Sequence, residues 1–458
     1  MTKRLLLAAA FLAAGCSVGP DYRRPEVDLP KDYAVAQAAN PAAERWWTLF
    51  GDPVLDALVD EALAKNRDLA AAAERIEQAR AQVSIARSAQ LPSAGVEATR
   101  SRARSSQLGS FPIPPEFVET NSNQLVLRAT WEIDFWGKYR RASEATRADL
   151  AASESGRDAI RASLVADVAR GYFALRALDA RLAELSRTLD GRRQSLSLQQ
   201  LRYDAGVVSE VELRQVEGEL RATEAAIPAA RQALVQQEGA LVLLLGRSPR
   251  EVFSAAVARG TVQAPTAVEV PAGLPSDLLL RRPDLREAEA RLQAANARIG
   301  VARAAFFPTI SLTGYFGGQS QSLGDLFTGP ARTWSLAADA LQPLFAGGQL
   351  RGGVDLANSR TREAALGYQH AVANAFREVR DAIAHQSNAR EALVAQQARV
   401  GALERTYSLE RLRYDNGAVS LFEVLETERQ LIGARLEAID AERERTAAIV
   451  ELYLALGA

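Results

Sequence analysis

The chain has 458 residues, of which 48% are apolar and 24% are charged, and its formal net charge is -1. A single Cys excludes an internal disulfide framework and a Cys-based zinc site, and two His residues, His370 and His385, cannot build a His-rich metal centre. The near-neutral charge provides no basic footprint for nucleic acid. We therefore expect no metal, no cofactor and no nucleic-acid partner.

The N-terminus has the features of a bacterial lipoprotein signal. A basic start, residues 1–4, precedes an apolar run from Leu5 to Ala14 that is too short to cross a bilayer as a helix. The small residues before Cys16 resemble a lipobox, so we expect a signal peptide over 1–15 and a lipid on Cys16. Ser17, rather than Asp, follows and favours an outer-membrane destination. The alternative is an ordinary signal peptide with an incidental Cys.

The chain contains an internal duplication. The segment EQARAQVSIARSAQLPS at 77–93 matches QAANARIGVARAAFFPT at 293–309, and LRYDAG at 201–206 matches LRYDNG at 412–417. A repeat this long indicates a duplicated half-molecule rather than a solenoid. The pattern predicts an N-terminal lipidated segment at 16–66 and a first repeat at 67–245. A linker at 246–275 and a second repeat at 276–458 follow.

Each repeat is predicted to begin with a helix and continue as strands. Apolar residues recur at helical spacing over 54–90 and 276–307, and Asp284 is expected to cap the second of these helices. Pro92 and Pro308 end the helices. Beyond them, apolar and polar residues alternate, which predicts β-hairpins over 92–136 and 308–345. The first strand, from residue 93 to 105, is the weakest candidate because arginines fill much of it.

The predicted strands have the length of tilted transmembrane strands, about 9–11 residues, although a soluble sheet with one face on a core fits the same alternation. Four strands cannot close a barrel. An open sheet edge in lipid leaves backbone N–H and C=O groups without partners. No later segment has the roughly 20 apolar residues of a spanning helix. If these strands lie in a membrane, several chains must therefore share one barrel.

Long helical hairpins are predicted after the strands, over 138–245 and 350–458. Both tracts are rich in strong helix formers. Each is interrupted once, at Asp-Ala-Gly or Asp-Asn-Gly, and each then restarts with a Ser-x-x-Glu capping box. The residues therefore predict a mainly α fold in which each chain contributes four strands and two helical hairpins, with a transmembrane β-barrel if the strands lie in a membrane.

These motifs together resemble the TolC-like outer-membrane factors, most closely the lipoprotein branch of OprM and NodT type. The resemblance is carried by LAAGC at 12–16, SVGPDYRRPEV at 17–27, WEIDFWGKYRR at 131–141, the block at 281–314 and the paired RYDxGxxS turns. It implies a homotrimer with a shared twelve-stranded outer-membrane barrel. It also implies an α-helical tunnel across the periplasm, with residues 246–275 and the C-terminal tail in an equatorial girdle.

The resemblance further implies a gate at the periplasmic tips of the helical hairpins. The acidic positions that match the family's ring are Glu212, Glu423 and Glu426, where the family usually has Asp. Glu212 and Glu423 have the alternative role of capping-box carboxylates. The candidates for contacts that lock the tips are Arg202, Tyr203, Asp204, Arg413, Tyr414 and Asp415. The exposed turns where a periplasmic adaptor is expected to dock are Gly206, Val207, Ser209, Gly417, Ala418 and Ser420.

Three functions compete. The first is the passive exit duct of a tripartite pump, working with a periplasmic adaptor and an inner-membrane RND-type transporter to export drugs or other small molecules. The second is a type I secretion duct, or another dedicated exporter, of the same family. The third is a lipid-anchored periplasmic coiled-coil scaffold whose strands form a soluble cap. No catalytic constellation is present: the Gly347-Gly348 and Gly352-Gly353 pairs lack the Lys-Ser/Thr of a phosphate loop, so we expect no enzyme activity.

Overall fold

The computed structural model describes residues 17–28, 45–108, 113–254, 257–260 and 281–457. The expected signal peptide and Cys16 lie outside these ranges, as does most of the predicted linker. The chain divides into two compact units. Unit 1 contains Met1–Val27, Glu74–Glu154 and Glu287–Gln369, and unit 2 contains Asp28–Ala73, Ser155–Arg286 and His370–Ala458.

The described residues form helices and one antiparallel sheet. The helices are α1 (Pro53–Lys65), α2 (Arg67–Ser88), α3 (Lys138–Asp204), α4 (Glu210–Leu244), α5 (Pro249–Ser254), α6 (Pro283–Ala304), α7 (Gln349–Asp415) and α8 (Leu421–Ala455). The strands are β1 (Ser93–Arg104), β2 (Glu119–Ile133), β3 (Thr309–Ser320) and β4 (Arg332–Leu341). Among the described helices, none combines the length and apolar content needed to cross a bilayer.

The duplication is visible in the lengths of the elements. Helices α2 and α6 have 22 residues each, α3 and α7 have 67 each, and α4 and α8 have 35 each. Strands β1 and β3 have 12 residues each, whereas β2 has 15 and β4 has 10. The two halves are therefore copies of one unit that differ mainly in the second strand of each hairpin.

Two helix boundaries differ from the predictions. The helix expected over 54–90 is broken at Asn66, whose Oδ1 accepts hydrogen bonds from the backbone N–H groups of Asp68 at 2.9 Å and Leu69 at 3.0 Å and so caps α2. The expected cap Asp284 is wrong, because α6 already begins at Pro283, a residue suited to the first helical position. The Asp284 carboxylate instead pairs with the Arg282 guanidinium at 2.7 Å.

The turns between the long helices have the predicted glycine stops. Gly206 and Gly417 have φ values of 71° and 74°, in the left-handed region that glycine tolerates. The Val207 N–H donates to the Arg202 carbonyl at 2.8 Å, and the Ala418 N–H donates to the Arg413 carbonyl at 2.8 Å. Hydrogen bonds that span five residues in this way are typical of Schellman motifs. They give a carbonyl group at the end of each helix a hydrogen-bond partner.

The sheet has strand order β1-β2-β3-β4 and two chemically different faces. Paired residues point to the same face of an antiparallel sheet. One row of pairs joins Val96, Leu127, Phe316 and Trp334, and the adjacent row on the opposite face joins Gly95, Arg128, Tyr315 and Ser335. The sheet therefore presents an apolar face and a polar face. Strands β1 and β4 are its edges.

Unit 2 has an aromatic core around α3. The Trp46 ring stacks on the Tyr453 ring of α8 with centroids 5.4 Å apart. The buried Tyr172 hydroxyl donates to the Asp52 carboxylate at 2.6 Å and accepts from the Gly260 N–H at 2.9 Å. These contacts fix residues 45–65 and 257–260 against the long helices, and the sequence gives no prediction of them.

The segment that follows the lipidation position is held in unit 1. The Val18 N–H donates to the Trp136 carbonyl at 3.1 Å, and Asn296 Nδ2 donates to the Pro20 carbonyl at 3.0 Å. Arg24 pairs with Glu289 of α6 at 2.7 Å. Residues 17–24 therefore lie against α6 and the junction between β2 and α3.

The sheet requires a glycine at Gly317. A Cβ added there would lie 2.1 Å from the Leu125 carbonyl oxygen, whereas a Cβ at Gly95 of β1 would meet no atom within 4 Å. We expect Gly317→Ala to destabilise the folded chain by about 1–3 kcal/mol in urea unfolding, because the neighbouring strand must move. The matched control Gly95→Ala should stay within about 0.5 kcal/mol of the parent. Equal stability of the two variants would contradict this packing.

Candidate functional site

The candidate gate residues lie where the two helical hairpins turn. Tyr414 of α7 is central to this region: its hydroxyl accepts hydrogen bonds from Gln199 Nε2 and Arg202 Nη1 of α3, each at 3.2 Å. The Arg202 guanidinium also lies 5.8 Å from the centroid of the Tyr414 ring, within cation–π range. Near the turns, these contacts join the first hairpin to the second.

Of the six predicted locking residues, the structure brings together Arg202 and Tyr414. Asp204 accepts from Gln200 of its own helix at 2.9 Å, Arg413 pairs with Glu410 at 3.1 Å, and Asp415 lies 3.8 Å from Arg411. The Tyr203 side chain is exposed. Gln199 was not predicted, although it lies one helical turn before Arg202 and so shares its face.

The three predicted acidic residues contact their own helices. Glu212 accepts from the backbone N–H of Ser209 at 2.8 Å, and Glu423 accepts from that of Ser420 at 3.5 Å. Both belong to capping boxes, as their alternative assignment predicts. Glu426 pairs with Arg429 and accepts from Gln430 Nε2 at 2.9 Å. Among the residues that the structure describes, these carboxylates therefore form no link between hairpins, and a ring would need other copies of the chain.

The turns expected to dock an adaptor are exposed. Three apolar side chains in or near these turns are also exposed: Val207 is 67% exposed, Val211 66% and Phe422 60%. Val211 and Phe422 were not among the predicted residues. Their signal in the sequence is an apolar residue two positions after a capping-box serine, whereas Leu421, directly after Ser420, is buried. The exposed tips are thus partly apolar.

A buried polar cluster, which the sequence did not reveal, lies farther along the hairpins. Arg192 of α3 pairs with Glu219 of α4 at 2.7 Å and donates to the Thr223 hydroxyl at 2.6 Å. Glu428 of α8 also faces this cluster. Burial raises the pKa of Glu428 above the ordinary glutamate value, and the positive charge of Arg192 opposes that rise. The Tyr407 hydroxyl has a raised pKa for the same reason, burial, with the nearby Glu428 adding to it.

The raised pKa of Glu428 makes stability depend on pH. Because the folded-state pKa exceeds the unfolded-state value, ionisation of Glu428 destabilises the fold, and stability falls as pH rises from the ordinary glutamate pKa through the raised one. We expect Glu428→Gln to flatten the pH dependence of the thermal midpoint, measured by circular dichroism from about pH 4 to pH 8. Glu391→Gln, at an exposed position on α7, is the control and should leave the slope unchanged. Parallel curves for the parent and Glu428→Gln would contradict the assignment.

Comparison with known proteins identifies the family. The family model described as "Outer membrane efflux protein" matches residues 58–247 and 274–458, one segment in each repeat. The chain is 34% identical to the Escherichia coli protein "Cation efflux system protein CusC" over 99% of this chain and 98% of that protein. It is 33% identical to the Salmonella typhimurium "Probable outer membrane lipoprotein SilC" over 99% of this chain and 98% of that protein.

The fold matches a solved channel. The structure superposes on the Campylobacter jejuni CmeC outer membrane channel with a TM-score of 0.92 and 28% sequence identity, covering 96% of this chain and 95% of that one. These matches confirm the predicted fold class and the outer-membrane location. Since they extend over both repeats, the chain belongs to the outer membrane efflux protein family.

Proposed function

We propose that three copies of this chain form the passive exit duct of a tripartite efflux pump. The observation that carries the proposal is the four-stranded sheet, which has one apolar face, one polar face and two open edges. Pairing β4 of one copy with β1 of the next closes a ring without any unpaired edge. The apolar faces then meet lipid, and the row containing Arg128 and Tyr315 faces a water-filled lumen.

A lipid on Cys16 fits this placement. The residue after it, Ser17, lies against Gly137: a Cβ added to that glycine would lie 2.9 Å from the Ser17 hydroxyl oxygen. Gly137 directly precedes α3 and follows β2, so Ser17, the first described residue, lies where the strands give way to helices. A lipid chain there would enter the membrane beside the sheet and add to its anchoring.

The exposed turns supply a surface for the rest of the pump. Their apolar side chains, Val207, Val211 and Phe422, would be covered by a periplasmic adaptor that connects the duct to an inner-membrane RND-type transporter. A relative named as a cation efflux system protein supports a role in efflux. The exported substrate is selected by the transporter, so this chain need only provide a closed wall and a gate.

The gate is proposed to rest on the contacts that join the hairpins at their turns. The hydrogen bonds from Gln199 and Arg202 to the Tyr414 hydroxyl hold α3 and α7 together in the closed state. In the trimer, three copies of Glu426 near the symmetry axis would add a cation-attracting ring. Opening would require the Tyr414 contacts to break and the hairpins to separate.

Planar-bilayer recording of the purified, SDS-resistant trimer tests both the duct and its gate. The parent should conduct weakly because it is closed, and Tyr414→Phe and Glu426→Ala should raise the conductance. The loss of hydrogen bonds worth about 1 kcal/mol would raise the open population about fivefold. Tyr203→Phe is the matched control: it removes the equivalent hydroxyl of the first repeat, which is exposed.

The outcomes separate the two proposals. If no variant of the trimer conducts ions, the chain is no duct, and a periplasmic scaffold becomes the better description. If the parent conducts but Tyr414→Phe and Glu426→Ala leave the conductance unchanged, the duct stands and these residues are not part of the gate.

A further inference from the structure

The apolar face of the sheet ends in a basic cluster. Alternate residues of β1 point to the same face, and along the apolar face they are Ala94, Val96 and Ala98, followed by Arg100, Arg102 and Arg104. The register extends this change across the sheet. Ala98 pairs with Leu125, whereas the three arginines pair with Asn123, Asn121 and Glu119 of β2. On this face, the apolar part of β1 therefore ends at Ala98 and the basic part begins at the next residue that points the same way, Arg100.

This cluster lies at the end of the sheet that is farthest from the helices. Helices precede β1 and β3 and follow β2 and β4. The other ends of the strands are Arg104, Glu119, Ser320 and Arg332. Because the helices lie on the periplasmic side, these ends and the arginines lie on the outer side. The basic cluster is thus at the level of the outer leaflet.

The apolar band has the length of a membrane-spanning strand. From Leu125 to Ile133 it covers nine residues, and a tilted transmembrane strand needs about 9–11. Outer-membrane barrels flank their apolar bands with aromatic residues. Trp334 is 71% exposed and lies on this face in the same row as Val96. Arg100 is the second residue of β1 after Val96 that points to the same face. The arginines therefore begin where lipid chains end and headgroups start.

The cluster has excess positive charge. Glu119 is shared by two of its members: it lies 2.6 Å from the Arg102 guanidinium and 3.3 Å from that of Arg104. The cluster thus has three guanidinium groups and one carboxylate that contacts two of them, and those two arginines remain largely exposed. Guanidinium groups bind phosphate through paired N–H donors, and their aliphatic stems can lie on apolar surface while the charged ends reach headgroups.

Closure of a barrel would leave the cluster on the outer surface. Strand β1 is an edge, and its free backbone groups point sideways in the plane of the sheet toward the next strand. Side chains of β1 point out of that plane, so a neighbouring β4 would pair with the backbone of β1 without covering the outward face. In a trimer the cluster would occur three times around the barrel.

We propose that Arg100, Arg102 and Arg104 form a binding site for the phosphate groups of the glycolipid in the outer leaflet. The site would hold a phosphorylated headgroup against the barrel, beside the apolar band that contacts its acyl chains. Glu119 orients two of the guanidinium groups and also limits the positive charge of the site. The inference depends on the outer-membrane location of the sheet and is independent of the pump's other components.

Native mass spectrometry of the purified full-length complex tests the site. The parent is mixed with lipid A that carries both phosphates, with the same lipid A after enzymatic dephosphorylation, or with phosphatidylglycerol. We expect the parent to retain the phosphorylated lipid A on the order of tenfold better than the dephosphorylated form, because each unneutralised arginine near a headgroup contributes a severalfold preference. This comparison needs no variant and is unaffected by folding defects.

Variants then assign the preference to the cluster. Replacing all three arginines with Gln should abolish it, replacing them with Lys should largely keep it, and Glu119→Gln should increase it by removing the competing carboxylate. Arg128→Gln, on the opposite face beside Glu97, is the control and should not change lipid retention.

Three results would overturn the proposal. They are equal retention of phosphorylated and dephosphorylated lipid A by the parent, an unchanged preference in the triple Gln variant, and an equal loss in Arg128→Gln. Retention of phosphatidylglycerol as strong as that of lipid A would overturn the assignment to the glycolipid.

Discussion

The unpaired backbone groups at the edges of the sheet are the constraint on which the rest of the molecule depends. Among the described residues, strands β1 and β4 each have one side without a partner, and no water is available in a membrane to satisfy those N–H and C=O groups. Four strands are also too few to close on themselves. The chain can therefore place its sheet in lipid only by sharing edges with other copies.

The duplication supplies matched elements, but the two copies make different contacts. Helices α3 and α7 have equal lengths and end in the same Schellman turn, yet Tyr414 of the second copy receives two hydrogen bonds while Tyr203 of the first is exposed. In this contact, the first hairpin supplies the hydrogen-bond donors and the second hairpin supplies the acceptor. The two tyrosines occupy equivalent positions of the repeated motif, but Tyr414 joins the hairpins and Tyr203 does not take part in that contact.

Local chemistry explains which features were predictable from the sequence. Gly206 and Ser209 end one helix and start the next within a few residues, so the turn was predicted correctly. The strands were also predicted correctly, because their alternation of apolar and polar residues involves only neighbouring positions. The break at Asn66 was missed although its cap is local, and the Asn66 side chain is also held by a distant contact, since its Nδ2 group donates to the Leu244 carbonyl 178 positions away. Gln199 and Glu428 have roles that depend on a facing helix, and no pattern along the chain reveals such a partner. The roles of the gate carboxylates depend on further copies of the chain and remain predictions.

The number of chains in the membrane-inserted complex tests this account most directly. The complex would be extracted from membranes in a mild detergent, and its mass would be measured by native mass spectrometry alongside its heat-sensitive mobility in SDS gels. The account predicts a complex of three chains that dissociates to monomers when the sheet unfolds. A folded, membrane-inserted single chain would contradict it, because its β1 and β4 edges would then be stable in lipid without partners.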